Sequence, residues 1–163
     1  MASGRKHDLS IIATAPIAGA IAFTSFKLQI SESLIVAGAY CIGGLMLSPD
    51  LDIDSNPTKR WGFLKVIWAP YRKLRHRSIW SHCPIVGTLG RLLYINLFWF
   101  LPLFVVSKPE QIQAFISNIY NTDSIRNQIL ILFWAVEASA LNHLLLDGLL
   151  IPVPKFVTKW LSK

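Results

Sequence analysis

Four histidines and a small set of aspartates carry the chemistry that this sequence offers. His76 and His82 are six residues apart in a basic segment, and His143 and Asp147 are four residues apart within an apolar run. Imidazole and carboxylate groups together are typical ligands of divalent metals. The four-residue spacing places His143 and Asp147 on one helix face, where they can share an ion or form a ligand with its orienting partner. A buried polar pair that only packs the helices is the alternative.

The segment Ser48-Pro-Asp-Leu-Asp-Ile-Asp54 adds carboxylates at alternate positions. Its spacing imitates the start of an EF-hand loop, but position six is Ser55 instead of Gly and position twelve is Trp61 instead of Glu. In an extended segment, alternate side chains point the same way. We therefore interpret Asp50 and Asp52 as ligands of a metal that imidazoles also hold. A solvated turn after a helix is the alternative.

The composition places these residues in a membrane protein. The chain has 163 residues, of which 53% are hydrophobic and 15% are charged, whereas about 25% of residues are charged in a typical soluble domain. Its mean hydropathy is +0.45. Two cysteines cannot make a disulfide framework, although Cys83, next to His82, is a further possible metal ligand.

Apolar runs predict a single all-α domain over residues 1–163, an integral membrane bundle of about four transmembrane helices. The predicted spans are about 9–26, 30–47, 84–106 and 125–151, and a basic interfacial loop covers 48–83. In that loop we expect Trp61, Phe63, Trp68 and Tyr71 at the lipid headgroup level. Residues 155–163 resemble a short interfacial helix. A secretory signal peptide is an alternative interpretation of the first run.

The distribution of the 16 Lys and Arg residues predicts the topology. Most of them lie before the first span, in loop 48–83 and in the tail, while the opposite loops contain Lys27, Lys108 and Arg126. The positive-inside rule therefore places both termini and loop 48–83 in the cytoplasm. With this topology His7, His76, His82 and His143 all lie at one membrane face, together with Asp8, Asp50, Asp52 and Asp147. This convergence predicts a metal site there.

The remaining charged and polar residues near that face suggest supporting roles. Arg75, Arg77, Ser78 and Ser81 are candidates for binding a substrate phosphate. Arg91 and Glu137 lie at similar depths in the third and fourth spans, so we expect a structural ion pair, with a polar access path as the alternative. The ligands exceed the needs of one tetrahedral zinc. One or two divalent ions (Zn, Mn or Fe) are therefore both possible.

The ordered motifs resemble a known family. They are Gly4-Arg-Lys-His-Asp8, Ser48-Pro-Asp-Leu-Asp-Ile-Asp54, Lys59-Arg-Trp-Gly62, Pro70-Tyr71, His76-Arg-Ser, Ser81-His82-x-Pro84 and His143-x3-Asp147. This set resembles small cyanobacterial membrane proteins described as metal-binding and, more distantly, the YdjM-like membrane-bound metal-dependent hydrolases. The resemblance implies metal ligands at His7, Asp50, Asp52, His76, His82, His143 and Asp147. It also implies a cyanobacterial source, with a plasma or thylakoid membrane location.

Two functions from different classes are compatible with these patterns. The first is a metal-dependent hydrolase that acts at the cytoplasmic face on a phosphoester or lipid-type substrate, such as a prenyl phosphate, with Asp52 and His82 as catalytic residues. The second is a non-catalytic assembly or scaffold factor of a membrane protein complex, in which the metal is structural. A nucleic-acid partner is not expected, because the basic residues stand among aromatic membrane anchors and form no recognised nucleic-acid module.

Overall fold

Helices account for every regular element that the structure describes, as the sequence predicted. The structure is a computed structural model and describes residues 3–148. Its helices are α1 Gly4–Thr24, α2 Ile30–Met46, α3 Asn56–Arg60, α4 Ile79–His82, α5 Val86–Val106, α6 Pro109–Asn121 and α7 Asp123–Leu146, with 3-10 helices at Pro49–Asp52, Gly62–Trp68 and Tyr71–Lys73.

Three of these segments are long and apolar enough to cross a membrane. They are Gly4–Thr24, Ile30–Asp52 and Asp123–Leu146. Helix α5 also has 21 residues, and Arg91 is its single charged residue. A bilayer core of roughly 30 Å needs about 20 residues of helix. The lengths are consistent with an integral membrane protein, while the fourth span and the orientation of the termini stay predictions.

Close packing of α1, α2 and α7 forms the centre of the bundle. A Cβ atom added to Gly43 would lie 2.7 Å from the Ser139 hydroxyl and 3.0 Å from the Val136 Cα, so only glycine allows this approach of α2 to α7. Hydrogen bonds reinforce the same region. Thr14 Oγ1 lies 2.8 Å from Tyr40 Oη and accepts from Asn142 Nδ2 at 3.2 Å.

Loop 48–83 folds into short helices that cover one end of α5. Leu51, Trp68, Tyr71 and Ile95 form a buried cluster there, and Trp68 is 0% exposed. Trp68 and Tyr71 therefore pack inside the protein and do not contact lipid directly, while the predicted headgroup level of this loop stays a prediction. Phe63 is 87% exposed and remains available for the membrane surface.

The Lys-Arg-Trp-Gly motif caps the end of α2. Arg60 Nη1 donates to the Leu45 carbonyl at 2.9 Å, and Trp61 Nε1 donates to the Met46 carbonyl at 2.9 Å. Arg60 also forms an ion pair with Asp8 at 2.6 Å. The last carbonyls of a helix have no partner within the helix, so these contacts fix the point where the chain leaves α2 toward the aspartates.

Several predicted boundaries differ from the structure. The third span was expected to start at Pro84, but α5 begins at Val86, and His82 belongs to the separate short helix α4. Helix α7 ends at Leu146, and the predicted span to 151 and the tail helix at 155–163 lie outside the described residues. Helix α6, between α5 and α7, was not predicted. Its apolar residues recur at Ile112, Phe115, Ile116 and Ile119, the spacing of an amphipathic helix.

Candidate metal centre

All four histidines meet at one end of the bundle. The N-terminal end of α1 carries His7, the turn after α2 carries Asp50 and Asp52, α4 carries His82, and the C-terminal end of α7 carries His143 and Asp147. His76 precedes α4. Because α1 and α2 run in opposite directions, as do α5 and α7, these ends come together. The predicted convergence of the histidines is confirmed.

The donor atoms form two groups. In the first, called the His143 group, one donor atom each from His7, His143 and Asp147 lies within 4.8 Å of the others. The His7 and His143 rings stack with centroids 3.9 Å apart, and His7 Nε2 lies 3.1 Å from Asp147 Oδ1. His143 Nε2 lies 4.0 Å from Asp147 Oδ2. The predicted i, i+4 pair therefore faces one point, together with a histidine from α1.

The second group, called the His82 group, comprises donor atoms of Asp50, His76 and His82 within 4.8 Å of one another. Asp50 Oδ1 joins the two groups, because it lies 3.5 Å from His82 Nε2 and 3.4 Å from His143 Nε2. Cys83, the other possible ligand, belongs to neither group in the described part of the chain.

Three of these donor atoms are buried without a hydrogen bond. They are Asp50 Oδ1, His82 Nε2 and His143 Nε2, and His82 and His143 are 1% and 3% exposed. An unsatisfied buried polar atom costs about 1–3 kcal/mol. Their separations of 3.4 and 3.5 Å are long for hydrogen bonds, yet donors at about 2.0–2.1 Å from a tetrahedral ion lie about 3.3–3.4 Å apart. The residues fit a divalent metal.

Asp52 lies behind the histidines instead of between them. Its Oδ1 lies 2.9 Å from His76 Nδ1, and its Oδ2 lies 3.7 Å from His82 Nδ1. Both contacts are to Nδ1, which leaves the Nε2 atoms of His76 and His82 for a metal. A carboxylate on the second ring nitrogen fixes the tautomer and orientation of a ligating histidine. This geometry favours a positioning role for Asp52, while its predicted role as a ligand stays a prediction.

Two serines contact the Nδ1 atoms of His82 and His143. Ser81 Oγ lies 2.9 Å from His82 Nδ1, and Ser48 Oγ lies 3.3 Å from His143 Nδ1. Ser81 is 0% exposed, so its hydroxyl serves His82 and is inaccessible to a substrate phosphate. Ser48 is a site residue that was not among the predicted ones. Its position directly before Pro49 indicates only that the second apolar run ends there.

Short-range contacts fix helix α4, which carries His82. The Tyr71 hydroxyl donates to the Trp80 carbonyl at 3.0 Å. Burial raises the pKa of the Tyr71 phenol, so the hydroxyl keeps its proton and remains a donor. Arg91 donates to the Ser81 carbonyl at 2.7 Å and to Thr88 Oγ1 at 2.9 Å.

The predicted direct ion pair between Arg91 and Glu137 is not formed in the described structure. Glu137 Oε1 instead accepts from the Ile85 backbone N–H at 3.0 Å, while Arg91 holds the Ser81 carbonyl. Both charged side chains are almost completely buried, at 1% and 2% exposure. Arg91 binds the start of the segment 81–85 and Glu137 binds its end. Together they position the residues on both sides of His82.

The predicted phosphate ligands separate into different environments. Arg77 Nη2 lies 3.9 Å from Asp147 Oδ2, and the Arg77 side chain is 37% exposed. Its backbone has φ +61°, a left-handed conformation that non-glycine residues rarely adopt. Arg75 is exposed, and Ser78 Oγ lies 3.2 Å from Ser81 Oγ. Arg77 is therefore the arginine of this set that reaches the candidate metal centre.

The fold and the site define a class: an all-helical protein with membrane-length helices and a His/Asp metal centre at one end. The chain belongs to the family described as uncharacterized metal-binding proteins (DUF2227), whose model matches residues 2–156. It is also similar to an "Uncharacterized protein" of Aquifex aeolicus (strain VF5), with 48% identity over 58 residues, 34% of this chain. That match spans 40% of the relative's length. No solved structure matches.

Proposed function

We propose that this metal-binding protein is a membrane-bound hydrolase that cleaves a phosphoester of a lipid-type substrate at the cytoplasmic face. The observation that carries the proposal is the convergence of Asp50 Oδ1, His82 Nε2 and His143 Nε2, all buried and without hydrogen bonds, close to the partly exposed Arg77. When bound, a divalent metal (Zn, Mn or Fe) supplies Lewis-acid polarisation of a phosphoryl oxygen and lowers the pKa of water.

The chain's own residues bind and orient the substrate. Arg77 presents a planar guanidinium that can hold two phosphoryl oxygens at once, and Ser78, at the rim of the site, offers a hydroxyl. His82 is the catalytic residue at the centre of the donor set. Asp52 acts as a positioning residue, because its Oδ1 lies within hydrogen-bond distance of His76 Nδ1 and its Oδ2 places a negative charge 3.7 Å from His82 Nδ1.

Partial exposure of some ligands favours a catalytic site over a closed structural one. The side chains of His76 and Asp50 are 29% and 15% exposed, while those of His82 and Asp52 are 1% and 0% exposed. A structural metal site is usually closed by protein ligands, whereas a catalytic site keeps an open position. The exposed edge of the centre lies on the side of His76 and Asp50, where a substrate can approach.

An apolar cavity supports a substrate with a hydrocarbon chain. It has a volume of about 630 Å³ and lies between α1, α2 and α7, with Thr14, Ile17, Tyr40, Trp134 and Ala138 among its lining residues. Thr14 accepts from Asn142, the neighbour of His143 in α7. The cavity therefore lies along the same helices that carry the metal ligands, and it suits the chain of a lipid or prenyl phosphate.

A structural metal that holds the helix ends together is the second candidate function. The burial of His7, His82 and His143, none more than 7% exposed, favours it, because buried histidine ligands connect α1, α4 and α7. The protein would then act as an assembly or scaffold factor of a membrane complex. The two functions differ in whether a ligand position remains open to solvent.

A hydrolysis assay on purified, detergent-solubilised protein tests the proposal. The protein is loaded in turn with Zn²⁺, Mn²⁺ or Fe²⁺, and phosphate release is measured from a phospholipid and from a prenyl phosphate. We expect metal-dependent release that His82→Ala abolishes. Arg77→Ala removes a charge-assisted hydrogen bond of about 1.5–3 kcal/mol, which corresponds to a loss of about 10–150-fold in kcat/KM.

Arg75→Ala is the matched control, since Arg75 lies two residues away and is exposed. It should retain most of the activity. Protein that binds metal at full occupancy but hydrolyses neither substrate would contradict the proposal and favour the scaffold function.

A further inference from the structure

We infer that the candidate metal centre holds two divalent ions, one in each donor group, and that Asp50 is the carboxylate that bridges them. The inference deepens the proposed function at the same site. It rests on the metal binding of that function but not on hydrolysis. In this inference Asp50 bridges the two ions, whereas Asp52 of the same acidic segment only orients histidines.

The number of donors is the first argument. His7, His143 and Asp147 form one set of three, and Asp50, His76 and His82 form another. A single tetrahedral ion takes four ligands, so six convergent donors exceed its needs. Each set alone offers three side-chain ligands, and three ligands plus an open position are typical of one catalytic ion.

The position of Asp50 is the second argument. Its Oδ1 lies at nearly equal distances from a histidine of each group, 3.5 Å from His82 Nε2 and 3.4 Å from His143 Nε2. That oxygen is buried without a hydrogen bond. A carboxylate between two imidazoles that belong to different donor sets is placed to bridge two ions, which lie about 3.5–4 Å apart in two-metal sites.

The orientation of the rings is the third argument. Asp52 and Ser81 contact the Nδ1 atoms of the His82 group, and Ser48 contacts His143 Nδ1. Partners on Nδ1 leave Nε2 as the ligating atom, and Nε2 is the atom of His82 and of His143 that faces Asp50. Each group thus has its own supporting partners, as two separate ion sites require.

Metal counting on purified protein tests the inference without any assay of activity. After saturation with Mn²⁺ and removal of free ions, elemental analysis should give two ions per wild-type chain. His76→Ala and His7→Ala should each retain one. Electron paramagnetic resonance should show two coupled Mn²⁺ ions in the wild type and an isolated Mn²⁺ signal in both variants. Asp50→Ala should lose the coupling.

Asp54→Ala is the matched control, because Asp54 belongs to the same acidic segment but its side chain is 64% exposed and contacts Lys59. It should bind two coupled ions. Circular dichroism checks that each variant keeps its helices, and His7→Gln and His76→Gln replace any alanine variant that does not fold. One ion in the wild type, or none in both folded histidine variants, would overturn the inference.

The two proposals fail in different ways. Two coupled ions without hydrolysis would sustain the inference and contradict the proposed function. One ion with metal-dependent hydrolysis would sustain the proposed function and overturn the inference.

Discussion

At the scale of single residues, Asp50 and Asp52 of the acidic segment have different roles. Asp50 Oδ1 lies between two Nε2 atoms, whereas Asp52 contacts Nδ1 atoms of His76 and His82. The reason is the local backbone. Pro49–Asp52 is a 3-10 helix, which has about three residues per turn, so residues two apart point in different directions.

The positioning role of Asp52 leads to a test on metal affinity. Asp52→Asn keeps the size of the side chain but removes the negative charge that faces the Nδ1 atoms of His76 and His82. Loss of an orienting partner usually lowers metal affinity about 10–100-fold, so we expect this decrease with an unchanged number of ions at saturation. Competition with a chromophoric chelator measures it.

Asp54→Asn serves as the control for that measurement, because Asp54 is exposed in the same segment. Its affinity should equal that of the wild type. An unchanged affinity in Asp52→Asn would show that the histidines are oriented without it. Loss of an ion at saturation would instead show that Asp52 is itself a ligand.

At the scale of elements, the junction between α4 and α5 determines where His82 lies. Arg91 of α5 donates a hydrogen bond to the Ser81 carbonyl, and Glu137 of α7 accepts one from the Ile85 N–H. Ile85 has φ +64°, an unfavourable conformation for a β-branched residue. Two buried charges in apolar helices are costly, and the structure uses both to fix this one junction.

Close approach at Gly87 makes the junction testable. A Cβ atom there would lie 2.8 Å from the Ser81 carbonyl oxygen and 3.0 Å from its carbon. Gly87→Ala should therefore displace Ser81 and His82, lower the free energy of unfolding by about 1–3 kcal/mol and weaken metal binding. Thermal unfolding in detergent and chelator competition measure the two effects.

Gly90→Ala is the matched control on the same helix. Its Cβ would meet the Trp80 carbonyl oxygen at 3.5 Å, an ordinary contact. Since alanine is a better helix former than glycine by about 0.5–1 kcal/mol, this variant should be at least as stable as the wild type. If Gly87→Ala binds metal as tightly as Gly90→Ala and the wild type, the junction does not control the position of His82.

At the scale of the whole molecule, the sequence predicts the helical architecture better than it predicts the contacts between side chains. The apolar runs lead to the helices, and the distribution of Lys and Arg among the loops leads to the convergence of the four histidines, because it places the ends that carry them on one side of the membrane. The direction of each side chain depends on local turns, so the roles of Asp52 and Ser81 and the partners of Arg91 could not be predicted. Helix α6 was missed although its apolar spacing is visible in the sequence.

The fourth span and the predicted topology can be tested together by cysteine labelling. Lys65, in loop 48–83, and Ser117, in α6, are both exposed, and α5 lies between them in the chain. Single-cysteine variants Lys65→Cys and Ser117→Cys are made after replacing Cys41 and Cys83 with serine. If α5 crosses the membrane, the two positions lie on opposite sides.

The positive-inside rule predicts which side is which. A membrane-impermeant maleimide added to intact cells should label Ser117→Cys. It should label Lys65→Cys only after the cells are permeabilised. The serine-substituted parent without a new cysteine gives the background. Labelling of both positions from the same side would show that α5 does not span. Labelling of Lys65→Cys in intact cells, with Ser117→Cys protected, would place the metal centre on the outer face and exclude a cytoplasmic substrate.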